Sequence, residues 1–291
     1  MTIAAGFYYD KGILLCADTQ FSAPSIKFYQ PKLTSTISVG AKDVHVGFAM
    51  SGTDGYMQTA VASCEKALCE VDEVKELNEH FVREILENAL VEVYSKHLYS
   101  HPRYGYPDGP SVDLIIGVLT SDSEPMLFST QETTVSPVTD EFRCVGSGGL
   151  IAAQALRPLV GPSASRSLKK TLLLATHGLK VAKDSDLYCG GTSEFAVING
   201  SGFERRVPGL NIEYLESYSQ VFQGIMNDLF FAAVDIENEA ECISKALRTV
   251  KSRSLEIWNE QRAAREKRER LLQMLSPDEP LDDQANAPPT Q

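Results

Sequence analysis

Strand-like and helix-like segments occur in separate blocks along this chain, and this order restricts the folds open to it. Two short apolar runs, 3–9 and 13–17, flank the turn Asp10-Lys11-Gly12 and predict a β-hairpin near the amino terminus. From 54 to 71 and from 74 to 99, apolar residues recur three or four positions apart, which predicts helices. Segregated blocks of this kind favour an α+β fold, with antiparallel sheets packed against helices.

The block order continues along the rest of the chain. Further strands are predicted at 35–39, 44–50, 112–120, 125–129, 133–138, 142–145 and 193–199, and further helices at 150–160, 165–182, 211–250 and 252–275. From residue 276 the chain is rich in proline and aspartate without apolar periodicity, which is typical of disorder. We therefore expect a main domain at 1–207, a helical extension at 208–275 and a disordered tail at 276–291.

Composition and charge argue against several classes of protein. The formal net charge is −12, whereas a general nucleic-acid binder needs a basic surface. No stretch approaches the roughly 18 apolar residues that a membrane-spanning helix needs. The six cysteines form no C-x-x-C pair, and the first residues lack a signal-peptide pattern. We expect a cytoplasmic protein with reduced thiols and with no nucleic-acid or membrane partner.

Five short motifs occur in order in the first two thirds of the chain. They are Thr2-Ile3 at the start of the first strand, Ala17-Asp18 after the second strand, Lys27 with Lys32-Leu33, the turn Val145-Gly146-Ser147-Gly148-Gly149, and the segment Asp186-Leu187-Tyr188-Cys189-Gly190-Gly191. With these motifs the chain resembles proteasome β-subunit-type N-terminal-nucleophile (Ntn) hydrolases. It looks most similar to the peptidase subunit of the bacterial two-component, proteasome-like protease, over about residues 2–200.

The resemblance implies a fold, an assembly and an activity. The fold would be a four-layer αββα sandwich, and the subunits would form a homo-oligomeric ring that encloses the active sites. An ATPase unfoldase could feed such a ring, and the substrate would be a peptide or protein. No metal or organic cofactor is expected, and the helices after residue 210 become candidates for subunit contacts.

Thr2 is the candidate nucleophile of this chemistry, provided that Met1 is removed. A threonine hydroxyl reacts poorly unless a base takes its proton. The α-amine of a first-position threonine can be that base, because its ordinary pKa of about 7.7–8.0 leaves much of it neutral near pH 7. The sequence therefore predicts an N-terminal threonine hydrolase that cleaves amide bonds through an acyl ester on Thr2.

Four further residues receive catalytic roles from the resemblance. Lys32 would lie beside the Thr2 hydroxyl, where its cation favours the alkoxide. Asp18 would pair with Lys32, since an unpaired buried lysine is costly. Ser147 and Asp186 would hydrogen-bond around the α-amine and position it. Lys27 is the second candidate for the lysine role.

Two departures from the family pattern concern supporting residues. Cys189 stands where the family has a serine, and a thiol is the weaker hydrogen-bond donor. The small-residue turn that supplies the oxyanion-stabilising N–H reads Met50-Ser51-Gly52, which leaves open whether Met50 or Ser51 is the donor.

Each candidate residue also has an ordinary structural interpretation. Asp18 alone could be a turn residue, Lys32 a surface lysine, and Ser147 a helix cap. Their occurrence together and in order favours catalysis. Two other functions stay open: a catalytically silent, proteasome-like assembly subunit, and an amidase that acts on small-molecule amides.

Overall fold

The computed structural model of the 291-residue chain divides into two compact units, Met1–Ser219 and Gln220–Gln291. It describes residues 2–23, 26–36, 44–71, 78–106, 109–120, 124–160, 166–200, 202–204 and 212–234, with a few separate positions between 244 and 266. The elements that position the candidate site all lie in the first unit. The predicted domain limits at 207 and 275 stay a prediction.

Two five-stranded antiparallel sheets form the centre of the first unit. The strands are β1 (Ala4–Tyr9), β2 (Gly12–Asp18), β3 (Gln20–Ala23), β4 (Ile26–Tyr29), β5 (Leu33–Thr36), β6 (Val44–Gly52), β7 (Val112–Thr120), β8 (Met126–Gln131), β9 (Thr134–Pro137), β10 (Phe142–Val145), β11 (Ser193–Asn199) and β12 (Gly202–Glu204). The first sheet has the order β10-β1-β2-β11-β12, and the second has the order β5-β6-β7-β8-β9. β3 and β4 pair separately as a two-stranded sheet.

Five α-helices occur in the part of the chain that is described. They are α1 (Asp54–Cys69), α2 (Glu79–Val93), α3 (Gly149–Leu156), α4 (Leu168–Ser185) and α5 (Ile212–Val234), and a π-helical turn, Tyr94–Leu98, follows α2. The Asn78 side chain accepts a hydrogen bond from the Phe81 N–H and caps the start of α2. None of the described helices is both long enough and apolar enough to cross a membrane.

Three clusters of buried apolar side chains hold these elements together. In the first, side chains of α1 and α2, such as Met57 and Leu86, pack on one face of β6 and β7. In the second, α3 and α4 pack on the first sheet, where Leu156 is fully buried. The third contains residues of both sheets, including Ile13 and Ile115. Because both faces of these strands are covered, the strand sequences are nearly continuous apolar runs.

The predicted class, helices combined with antiparallel sheets, is confirmed. Strand β11 has the predicted bounds 193–199, and α1 ends two residues before the predicted limit. The hairpin of β3 and β4 was missed, because its residues alternate polar and apolar over only four positions each. Parts of the predicted segments 35–39, 74–99, 165–182, 211–250 and 252–275, and all of the predicted tail 276–291, lie outside the described residues. The four-layer αββα stacking is a finer statement and stays a prediction.

Candidate active site

Thr2 lies two residues before the start of β1 and beside the last residue of β2. In the ladder between these strands Ala4 faces Ala17, so Asp18, the next position along β2, lies opposite Ile3, the residue that follows Thr2. The Asp18 N–H donates to the Ile3 carbonyl oxygen at 3.2 Å, and the Ile3 N–H donates to Asp18 Oδ1 at 3.3 Å. Thr2 is 1% exposed and Asp18 is fully buried. The sheet therefore holds the segment that carries Thr2 in one place.

Lys32 enters the same site from the second sheet. It directly precedes β5, and both of its backbone polar groups are engaged. Its N–H donates to Glu194 Oε2 at 3.1 Å, and its carbonyl oxygen accepts from the Met50 N–H at 3.0 Å. The side chain is fully buried and Nζ lies 2.7 Å from Asp18 Oδ1. This side chain is therefore not the surface lysine that its sequence context allowed.

The Lys32 ammonium group donates to three oxygen acceptors. Besides Asp18 Oδ1 these are the Gln20 carbonyl oxygen and Thr2 Oγ1. An ammonium has three N–H donors and no acceptor, so this arrangement matches the charged form. Burial lowers the pKa of Lys32, and the charge and hydrogen bond of Asp18 oppose that effect.

Asp18 accepts hydrogen bonds on both of its oxygens. Oδ1 accepts from Lys32 and from the Thr2 hydroxyl, and Oδ2 accepts from the Gly190 N–H at 2.8 Å. A Cβ atom at Gly190 would lie too close to Gln20 Oε1, so the Gln20 side chain would have to move to admit one. A buried carboxylate whose oxygens are satisfied in this way can keep its charge and orient its lysine partner.

The turn before α3 packs against the Thr2 carbonyl. Gly146 has a φ of +90°, and a Cβ atom at this position would overlap both Thr2 O and Ser51 Oγ. The Gly148 N–H points to the same Thr2 carbonyl oxygen at 3.3 Å. The glycines of this motif thus permit the close approach of two chain segments, and Ser51 lies 1% exposed against them.

Ser147 does not cap the helix that follows it. Gly148 is the N-cap of α3 and makes no side-chain cap. Ser147 Oγ is buried and meets no hydrogen-bond partner of normal geometry within the described ranges. It lies close enough to Asp186 to contribute to lowering the pKa of that carboxyl group. A buried hydroxyl without a partner is unusual and marks a place where another polar group can bind.

Asp186 and Cys189 contact each other at the end of α4. Asp186 accepts from the Tyr188 N–H at 2.9 Å and lies 3.4 Å from Cys189 Sγ. Burial raises the Asp186 pKa, but the nearby Ser147 hydroxyl, the Tyr188 N–H and the Cys189 thiol together outweigh it, and the pKa is lowered. Burial and the charges of Asp18 and Asp186 raise the pKa of Cys189 to about 12. The Cys189 thiol therefore stays protonated and acts as a weak donor.

The structure brings Thr2, Asp18 and Lys32 into direct contact, and it places Asp186 and Cys189 in contact with each other. Ser147 lies near that second pair, and Ser51 lies against the Gly146 turn. Of the two predicted oxyanion donors, the Met50 N–H is already engaged by Lys32.

Three residues that contact Lys32 were missed by sequence reasoning. They are Gln20, Phe21 and Glu194. The polar and apolar alternation of the β3–β4 hairpin is the signal that could have placed Gln20 and Phe21. Lys27 lies outside the buried site, where its Nζ donates to the Leu187 carbonyl oxygen at 3.2 Å.

Comparison with known proteins finds the fold among solved structures only. No protein-family model and no curated protein matches this chain. The Anbu (Gly-1) mutant from Hyphomicrobium sp. strain MC1 aligns with a TM-score of 0.63 and 17% identity, over 79% of this chain and 96% of that one. Anbu (ancestral beta-subunit) from Yersinia bercovieri gives 0.62 and 11%, over 78% and 95%.

A third structure, the helical assembly of the Anbu complex from Pseudomonas aeruginosa, gives a TM-score of 0.60 and 14% identity, over 78% of this chain and 95% of that one. At such identities the likeness shows the fold alone. The resemblance to Ntn hydrolases, and to the peptidase subunit of the two-component protease, is therefore corrected. These three structures are Anbu proteins, and a fold so rich in sheet, with few helices, does not support the Ntn-hydrolase sandwich.

Proposed function

We propose that this chain is a self-associating subunit of a proteasome-related assembly. The proposal rests on the fold shared with Anbu structures, one described as an ancestral beta-subunit and another as a helical assembly. The sequence favoured a threonine hydrolase over an assembly subunit. The comparisons support the assembly subunit better. A ring and a helical filament are both open to such a subunit, and an ATPase unfoldase is a further partner to test.

Light scattering coupled to size-exclusion chromatography tests the assembly. Particles of several copies support the proposal, with a fixed stoichiometry across a tenfold concentration range for a ring and a size that grows with concentration for a filament. A monomer at every concentration, also confirmed by negative-stain microscopy, contradicts it.

One observation favours a second function, the hydrolysis of amide bonds by Thr2. Thr2 Oγ1 contacts both Lys32 Nζ and Asp18 Oδ1, and all three side chains are buried. A hydroxyl between a cation and a proton acceptor is placed for activation as a nucleophile. Buried ion pairs that serve only structure are replaceable by apolar residues, so their presence here needs a reason.

The proposed reaction begins once Met1 has been removed. Thr2 Oγ attacks the amide carbon while its proton passes to the Thr2 α-amine, and the carbonyl electrons move to the oxygen. Collapse breaks the C–N bond, and the ammonium returns its proton to the leaving amine. Water then attacks the acyl ester with the α-amine as base, which releases the acid and restores Thr2.

The other residues would support these steps without a cofactor. Lys32 stabilises the alkoxide and disfavours protonation of the nearby amine, and Asp18 fixes Lys32. The free α-amine would supply the polar partner that Ser147 Oγ lacks, with Asp186 and Cys189 beside it. The Ser51 N–H would be the oxyanion-stabilising donor, because the Met50 N–H already donates to the Lys32 carbonyl oxygen.

Cleavage of fluorogenic peptides tests the hydrolase, with Thr2→Ala as the inactive variant and Thr2→Ser as the matched control that keeps a hydroxyl. Activity that is lost in Thr2→Ala and retained in part in Thr2→Ser supports the proposal. Cleavage of small acyl amides without cleavage of peptides would indicate that the chain is an amidase instead of a peptidase. Intact mass showing that Met1 is retained would contradict both hydrolase proposals and leave the assembly subunit.

A further inference from the structure

Phe21 presents its aromatic ring to the buried Lys32 side chain. Lys32 Nζ lies 4.5 Å from the ring centroid, inside the range of about 6 Å in which a cation and a ring face attract each other. Phe21 is 6% exposed, so solvent does not screen this contact strongly. The ring is thus a fourth neighbour of the ammonium group, beside its three oxygen acceptors.

The ring is held in place by a second aromatic residue. Phe28 of β4 stacks on Phe21 with centroids 5.1 Å apart and an interplanar angle of 8°. The two residues also face each other in the register of the β3–β4 hairpin. This pairing fixes the orientation of the Phe21 ring on the Lys32 side of the hairpin.

Two opposite effects of the ring act on Lys32. An apolar side chain at this position excludes water and so disfavours the charged ammonium. The negative ring face attracts the ammonium and so favours it. A leucine would exclude water in a similar way but has no ring face. The difference between phenylalanine and leucine at position 21 therefore isolates the attraction of the ring.

We propose that Phe21 is a positioning residue that holds Lys32 in its charged form beside Thr2. The interaction itself depends only on the contact between Phe21 and Lys32. Its consequence for catalysis rests on the Thr2 hydrolase proposed above, in which charged Lys32 stabilises the alkoxide. The loss of the ring should move the deprotonation of Lys32, and with it the alkaline limit of activity, to lower pH.

Titration of Lys32 by NMR tests the proposal without relying on activity. The chain is labelled at the lysine side-chain carbon Cε, and the signal that disappears in Lys32→Met is assigned to Lys32. Phe21→Leu is compared with Phe21→Tyr, which keeps the ring face. We expect Phe21→Leu to lower the Lys32 pKa by about half a unit to one unit, and Phe21→Tyr to leave it within about 0.3 units.

Two results would overturn the proposal. One is an unchanged Lys32 pKa in Phe21→Leu, and the other is an equal decrease in Phe21→Tyr, which would indicate a packing effect. If Phe21→Leu fails to fold, Phe28→Leu replaces it, because removal of the stacking partner should lower the pKa in the same direction by a smaller amount. No shift in that folded variant also overturns the proposal.

The result of the Lys32 titration can be interpreted independently of whether the chain hydrolyses peptides. A chain that is inert to peptides but shows the expected Lys32 shift supports the role of Phe21 and removes only its catalytic consequence. In an active chain, the alkaline limb of the pH–rate profile should shift by the same amount as the Lys32 titration. An alkaline limb that stays at the same pH while the Lys32 pKa shifts would contradict the catalytic consequence of the Phe21 contact.

Discussion

Lys32 Nζ lies 2.7 Å from Asp18 Oδ1, and both side chains are fully buried. The pair joins the two halves of the site, because Asp18 ends β2 in the first sheet and Lys32 directly precedes β5 in the second. Burial of two charges is tolerated only where each is paired and its remaining hydrogen-bonding groups are satisfied. Both conditions are met here, with the Gln20 carbonyl oxygen and the Gly190 N–H as the additional partners.

Removal of the lysine charge should destabilise the fold. Lys32→Met leaves the Asp18 carboxylate buried without its cation, and we expect a loss of about 3–5 kcal/mol in the free energy of unfolding. Urea unfolding followed by circular dichroism measures this loss. The double variant Asp18→Asn with Lys32→Met removes both charges and is the matched control. It should recover more than half of the loss, and a double variant as unstable as the sum of both single changes would contradict the coupling.

Addition of a methyl group to the Gly146 turn should also be costly. Gly146→Ala places a Cβ atom against the Thr2 carbonyl and Ser51, at a φ of +90°, so we expect a loss of about 2 kcal/mol or more. Gly55→Ala is the control, because a Cβ atom there meets nothing within 4 Å in the described structure. It lies in α1 and should be neutral or stabilising by up to about 1 kcal/mol. Equal thermal unfolding temperatures for the two variants would show that Gly146 is not constrained.

Asp113 should make stability depend on pH. It faces Ser51 in the ladder of β6 and β7, and burial raises its pKa from 3.8 to about 6. Between these values the unfolded chain releases the proton while the folded chain keeps it. The stability linked to this group is therefore full below about pH 4 and is lost as the pH rises through about 6.

The variant Asp113→Asn tests this pH dependence. The shift corresponds to at most about 3 kcal/mol, and partial exposure reduces our expectation to about 1–2 kcal/mol. Relative to the unchanged chain, Asp113→Asn should gain this amount of unfolding free energy between pH 4 and pH 7, measured by urea unfolding. A difference that is constant across this range would contradict the raised pKa.

Thiol labelling should separate exposed from buried cysteines. Cys69 is exposed, whereas Cys16, Cys64 and Cys189 are buried and Cys144 is half-buried, and burial is the first cause of a raised pKa in all four. Iodoacetamide at pH 8 should therefore modify Cys69 at least about tenfold faster than these four, as measured by peptide mapping. The variant Cys69→Ser should remove the fast adduct from the peptide that contains position 69. Rapid modification of Cys189 in the folded chain would contradict its buried, protonated state.

Much of the fold could be predicted from the sequence, because the apolar periodicity is strong in the long elements. Strand β11 and the amphipathic α1 follow directly from this pattern, and the contact of Thr2, Asp18 and Lys32 was expected only from the family resemblance. The Phe21 contact was not, because a ring stacked over a lysine depends on how a short hairpin folds over the site. The engagement of the Met50 N–H was also not predicted, since the Lys32 carbonyl oxygen that accepts from it comes from a distant part of the chain.

The family assignment failed for a physical reason as well. Short motifs of glycine, serine and aspartate record local turns and polar contacts, such as the Gly146 approach to Thr2, that many sequences can use. They do not encode which known proteins share the whole chain's fold. That information came from the arrangement of the sheets and helices, which is similar to that of Anbu structures.

Reaction with a threonine-directed electrophile, followed by mapping of the adduct, tests the Thr2 site most directly. We predict loss of Met1 in the intact mass and a single covalent adduct on Thr2, which is absent in Thr2→Ala and strongly slowed in Lys32→Met. An adduct at any other residue, or no adduct on a folded chain that has lost Met1, would contradict the proposal that Thr2 is the nucleophile.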